Sequence, residues 1–168
     1  MPDVAALPDD MQDLVEWLRA KRRHVVGALE GLSEADLRRG ILPSGWSPLG
    51  LVQHLALDVE RFWFRAVLAG EDVPLPTQDE GWAVAPDTRP ADVLDLYRAE
   101  AEAADAALGA AGGAGATPRW WPADFGKAPY GTAREILIHV LVETATHAGH
   151  LDAARELVDG HQHLVISD

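Results

Sequence analysis

Residues 132–159 read TAREILIHVLVETATHAGHLDAARELVD. The spacing predicts one long helix that starts at Thr132 and is ended by Gly160. At about 100° per residue, His139, Glu143 and His147 advance in steps of four and His150 follows three later. All four then lie within an arc of roughly 80°. Ile136, Val140 and Leu151 share that side, so the face is expected to point into the molecule. Imidazoles and a carboxylate facing inward are costly to desolvate without a partner, and a divalent metal ion would be one.

Outward from this helix, the chain reads as all-α. A first helix runs over about 9–32, capped by Asp9 or Asp10, with Leu14, Trp17, Leu18, Val25, Leu29 and Leu32 at helical spacing. The run Lys21, Arg22, Arg23 reads as its solvated face, and His24 as a surface residue. Ser33 opens a short capped turn that ends by Gly40. A second helix, about 48–69, begins at the N-cap and N1 pair Ser47–Pro48. It places Leu51, His54, Leu55, Asp58 and Phe62 in one sector. Residues 71–89 carry three prolines and no period, which predicts a long crossover loop. Pro90 opens a third helix, about 90–111, with Val93, Leu94, Tyr97, Ala101, Ala104 and Leu108 as its inward stripe. An aromatic loop, RWWPADFGKAPYG, leads into the helix at Thr132. In the tail HQHLVISD, the His161 and His163 pair reads as surface decoration, and Leu164, Val165 and Ile166 as a short packed segment. The expectation is a single domain over 1–168, a four-helix bundle with a long crossover between helices two and three.

Composition narrows the chemistry. Apolar residues make up 48% of the chain, enough for one core. There is no cysteine, which removes disulfides, thiolate ligands and a cysteine nucleophile, so any thiol chemistry needs a small-molecule thiol. The net charge of −13 disfavours nucleic acid and anionic membranes. MPDVAALPDDMQDL has no basic or apolar leader region, and no apolar run is long enough to span a bilayer, so a cytoplasmic protein is expected. An apolar helix face left over by the bundle would pair two copies into a homodimer.

Glu143 and His147, four apart, can reach one ion from one helix face. The third ligand must come from another helix, where His54 is the other inward-facing histidine. His54, Glu143 and His147 are therefore the expected metal ligands, and His150 competes with Glu143. This donor set suits zinc or nickel, and also iron or manganese. The ordinary alternative is a set of hydrogen-bonded core histidines. His161 and His163 stand outside the set.

At these residues the chain resembles the DinB-like superfamily of metal-binding four-helix bundles, which includes bacillithiol transferases and the mycothiol-dependent maleylpyruvate isomerase. The segments GWSPLGLVQHLALDVERFWF and ETATHAGHLDAARELVDG carry the resemblance, and they are most similar to its mycothiol-transferase-like branch. The resemblance implies one ligand from the second helix, matching His54, and two from the fourth. His147, opening the tetrapeptide HAGH, matches the histidine of a His-Arg-Gly-Gln-type motif, and Glu143 takes the remaining ligand position. His150 stands where that motif has Gln, and Ala148 replaces its Arg. The implied activity is metal-dependent transfer of a small-molecule thiol such as mycothiol to an electrophile. Asp58 would orient His54 and His150 would act within the pocket. Arg119 and Trp121, with Lys127 and Arg134 nearby, would meet the substrate. Several of Trp46, Trp63, Trp82, Trp120, Trp121 and Tyr130 would line a mouth between loops 71–89 and 113–130. Metal-assisted hydrolysis by the same ligands, and a non-catalytic metal-binding stress-response module, are the rival expectations.

Overall fold

The computed structural model describes residues 11–163. Asp9, Asp10 and Leu164 to Ile166 lie outside them. Within them the chain is all-helical, with no strand. In order come α1 (Gln12–Leu29), α2 (Glu34–Arg38), α3 (Pro48–His54, running on without a break through Leu55–Leu68), α4 (Gln78–Trp82), α5 (Pro90–Ala110) and α6 (Ala133–Asp159). None of these helices is long and apolar enough to cross a membrane.

The four long helices pack in two principal pairs, α1 on α6 and the second half of α3 on α5, and α6 also packs against that half of α3. Side chains cap the starts of α2, α3 and α6, whereas α1 and α5 begin without one. Ser33 accepts from Asp36 N, and Ser47 accepts from Gly50 N with Pro48 behind it. Thr132 and Glu135 satisfy each other's backbone N–H groups at the start of α6. Gly160 ends α6 in the left-handed conformation, with φ at 77°, which costs a residue without Cβ little.

The core draws Val15, Leu18, Val25 and Leu29 from α1, Leu51, Leu55 and Phe64 from α3, Tyr97, Ala104 and Leu108 from α5, and Ile136, Leu137, Val140 and Leu151 from α6. Trp17 does not take its expected place. It is 62% exposed and Val15 fills the stripe instead. From Leu55 onward α3 widens into π-helical bonding, with Ala69 N donating to Phe64 O five residues back.

Three expectations are corrected here. Arg22 is not on the solvated face but buried, with its guanidinium forked onto the Glu60 carboxylate at 2.7 and 2.6 Å and also bonded to Asp105 at 2.7 Å. Such a two-pronged charged contact is among the stronger kinds of hydrogen bonding. Burial disfavours the charge of Arg22, yet Glu60 and Asp105 more than offset this and hold the guanidinium more firmly protonated than usual. His24 is likewise buried rather than at the surface, bonded through Nε2 to Asp152 Oδ1 at 2.7 Å. The crossover between α3 and α5 is not all loop, because it contains α4. Thr77 and Glu80 start that helix: Thr77 N donates to Glu80 Oε2 at 2.8 Å.

Candidate functional site

The stripe on α6 runs along the flank of the buried face rather than down its middle. Val140, Thr144, Ala148 and Leu151 are fully inside, His139, Glu143 and His147 are half-buried, and His150 is exposed. That flank meets the first turns of α3. The His54 and His147 rings are 5.2 Å apart between centroids and nearly perpendicular, at 77°. His147 Nε2 is 3.5 Å from Glu143 Oε2, and His147 Nδ1 is 3.5 Å from His150 Nδ1. These separations are long for hydrogen bonds, so neither nitrogen of His147 is firmly spent.

Asp58, one turn beyond His54 on α3, accepts from His54 Nδ1 at 2.8 Å. A carboxylate accepts only, so Nδ1 carries the proton, and the Nε2 lone pair is left for a ligand. His147 is held neutral. Burial, helped by the neighbouring His54 imidazole and opposed by the charge of Glu143, lowers its pKa to about 4. The neutral imidazole is the form that binds a metal.

Helix α4 forms the roof. Trp82 stacks on His54 at 4.0 Å and 14°, and reaches His147 at 5.9 Å. Two glycines let this helix come so close. A Cβ on Gly50 would run into Trp82 O, and one on Gly81 would run into the Asp58 carboxylate. Gly81→Ala is therefore expected to push Asp58 off His54 while the bundle stays folded. Loss of such an orienting partner weakens metal binding by about 10–100-fold. Zinc affinity measured by competition with a chromophoric chelator would show it, and unchanged affinity would rule out the orienting role of Asp58.

Two grooves flank this point. One, of about 500 Å³, is lined by Leu57, Asp58, Phe62, Trp63, Trp120 and Phe125 among others, with Leu75 and Pro76 from the crossover. It lies between the crossover and loop 113–130, and of the six aromatics expected at a mouth there it is lined by Trp63 and Trp120. The other, of about 650 Å³, is more polar and is lined by Arg38, Ser44, Trp46, Ser47, Asp79 and Trp82 among others. Trp46 lies 6.2 Å from the His150 ring.

Arg119 and Trp121 hold the aromatic loop in place. Arg119 N donates to Val67 O, and its exposed side chain starts against Gly70. Trp121 donates to Gly126 O and packs on Phe62 and Trp63, so the neighbouring Trp120 faces the groove. Lys127 is exposed on the same loop. His139 is taken up by Tyr130, whose hydroxyl is 3.0 Å from Nδ1, and by Trp63, edge-on at 4.7 Å.

Sequence reasoning missed one constellation. Among the described residues, the trio of histidines and carboxylates whose ligand atoms all fall within 4.8 Å of one another is His24, Asp152 and His163. His163, expected to be surface decoration, stacks on His24 at 3.7 Å. The His-x-His pair in the tail was the available signal, but nothing local connects it to α1.

No curated protein and no solved structure matches the chain. A family model does: the one described as mycothiol-S-transferase matches residues 13–160. With that match spanning nearly all of the bundle described above, the chain belongs to the mycothiol S-transferase family.

Proposed function

We propose that the protein is a metal-dependent S-transferase that joins a small thiol, mycothiol or a close analogue, to an apolar electrophile. The observation that carries this is the meeting of His54 from α3 with the neutral His147 from α6, one imidazole oriented by Asp58 and the other flanked by Glu143. The donor chemistry fits a divalent transition ion, with His54, His147 and Glu143 as its ligands. When bound, such an ion lowers the pKa of a thiol or water at its open position.

The protein's own groups supply the rest. Asp58 fixes the tautomer and direction of His54. His150, exposed beside His147, accepts the proton that leaves the thiol. The sulfur then forms a bond to the electrophilic carbon, and the leaving group departs with its bonding pair. The polar groove at Trp46 and Trp82 suits the thiol's carrier, and the aromatic groove at Phe62 and Trp120 suits the electrophile. Both have the volume of ordinary small-molecule sites. The absence of cysteine fits a reaction whose nucleophilic sulfur arrives with the co-substrate.

Elemental analysis and turnover test this together. His54→Ala and His147→Ala should each hold about one divalent ion per chain fewer than wild type. A haloalkyl fluorophore should be conjugated by wild type only when mycothiol is added. Turnover without thiol would convert the reading to metal-assisted hydrolysis. Full metal content without turnover on any thiol–electrophile pair would leave a binding module.

A further inference from the structure

We infer a second metal site, built from His24, Asp152 and His163, that takes a divalent ion of the zinc class and fastens the C-terminal turn to α1. It stands apart from the pair His54 and His147 and does not depend on the transferase reading. His24 projects from α1 and is buried, and Asp152 projects from α6 across the α1–α6 seam. Past Gly160 the chain turns back: His161 N donates to Asp159 Oδ1, and the Gln162 side chain donates to Glu156 Oε1. That turn sets the His163 ring against His24.

Two imidazoles and a carboxylate are a common three-ligand set for zinc, with one position left for water. Bonds of about 2.0–2.2 Å in tetrahedral geometry place ligand atoms roughly 3.4 Å apart. Here His24 Nε2 and Asp152 Oδ1 are 2.7 Å apart and all three ligand atoms are within 4.8 Å. To take an ion, Asp152 must swing off His24 Nε2, replacing their hydrogen bond, and the exposed His163 ring must turn out of its stack on His24 so that its lone pair points at the same centre. A hydrogen bond between α1 and α6 would need only His24 and Asp152. The turn beyond Gly160 brings a third donor back onto α1, where its ring stacks on His24 and its ligand atom falls within 4.8 Å of the other two. The net charge of −13 adds a general attraction for cations.

The test starts from the full-length double variant His54→Ala/His147→Ala, which removes the other ligand pair. Calorimetric titration with zinc should still show about one ion per chain. Adding His163→Ala or Asp152→Asn should abolish that equivalent, whereas adding His161→Ala should leave it. Cobalt substitution should give the visible absorption of a four-coordinate site in the double variant and lose it on His163→Ala. His163 is exposed, so its replacement leaves the core intact. No zinc uptake by the double variant, uptake unaffected by His163→Ala, or equal loss on His161→Ala would each overturn the second site. Failure of the transferase reading shows separately, as wild-type zinc content unchanged by His54→Ala.

Discussion

Glu60→Ala is expected to destabilise the protein by about 3–5 kcal/mol, the usual consequence of removing one partner from a buried ion pair. Glu60 is fully buried near the middle of α3, and both its oxygens are taken by Arg22 from α1. Arg22 keeps Asp105 of α5, which also binds Arg19 at 2.8 Å, but loses the two bonds that compensate its own burial. Three helices are thus tied through one guanidinium. Urea denaturation of the two proteins at neutral pH measures the change, and a difference below about 1 kcal/mol would place this pair among the weak ones. A companion measurement separates pairing from packing. Replacing both residues with apolar ones, Arg22→Met with Glu60→Leu, should restore most of the loss, because no buried charge is then left alone.

The metal-free protein should lose roughly 2 kcal/mol of stability between pH 6.5 and pH 4 through His147 alone, a figure already reduced for the solvent that reaches this half-buried ring. In the unfolded chain this imidazole takes up its proton near 6.5, whereas in the folded protein it does so only near 4. Between those values the unfolded state binds the extra proton, so stability falls as pH falls and the effect levels off below about 4. Burial also lowers the pKa of His139, against a smaller opposing effect of Glu143, and adds in the same direction. The shifted carboxylates act lower on the scale. For Glu100, burial is outweighed by bonds from Arg61 and Arg65, so its contribution is lost only as pH drops below the ordinary carboxylate value. His147→Gln removes the histidine titration while keeping a polar side chain. In denaturation measurements with a chelator present, wild type should lose more stability than the variant between pH 7 and about pH 4.5. Equal losses would show that His147 is protonated in the folded state as easily as in the unfolded one.

The four long helices were legible because each has a period and most carry a capping signal, as Ser47–Pro48 and the glycine at 160 do. Helix α4 was not, since five residues amid prolines cannot display a period, although Thr77 and Glu80 spell a helix start. The pairing of His54 with His147 was accessible once two inward faces were recognised. What local reading could not reach were partners distant in the chain. Arg22 sits in a run of three cations that looks solvated, and its carboxylate is 38 residues away. His24 finds Asp152 at a separation of 128 residues. Burial of a charge depends on which face the packing covers, and in α1 the stripe through Val15, Leu18, Val25 and Leu29 carries Arg22 inward with it.

Helix α4 gives Trp82 to the polar groove, while its Gly81 rests on the Asp58 that borders the aromatic one. One short element therefore walls the polar compartment and backs a residue that lines the other, so a molecule that shifts it in the first would move Asp58 in the second. Under the proposed reaction, the affinities for thiol and electrophile are linked and the linkage is reciprocal. Kinetics with both substrates varied would register this as a Michaelis constant for each that changes with the concentration of its companion.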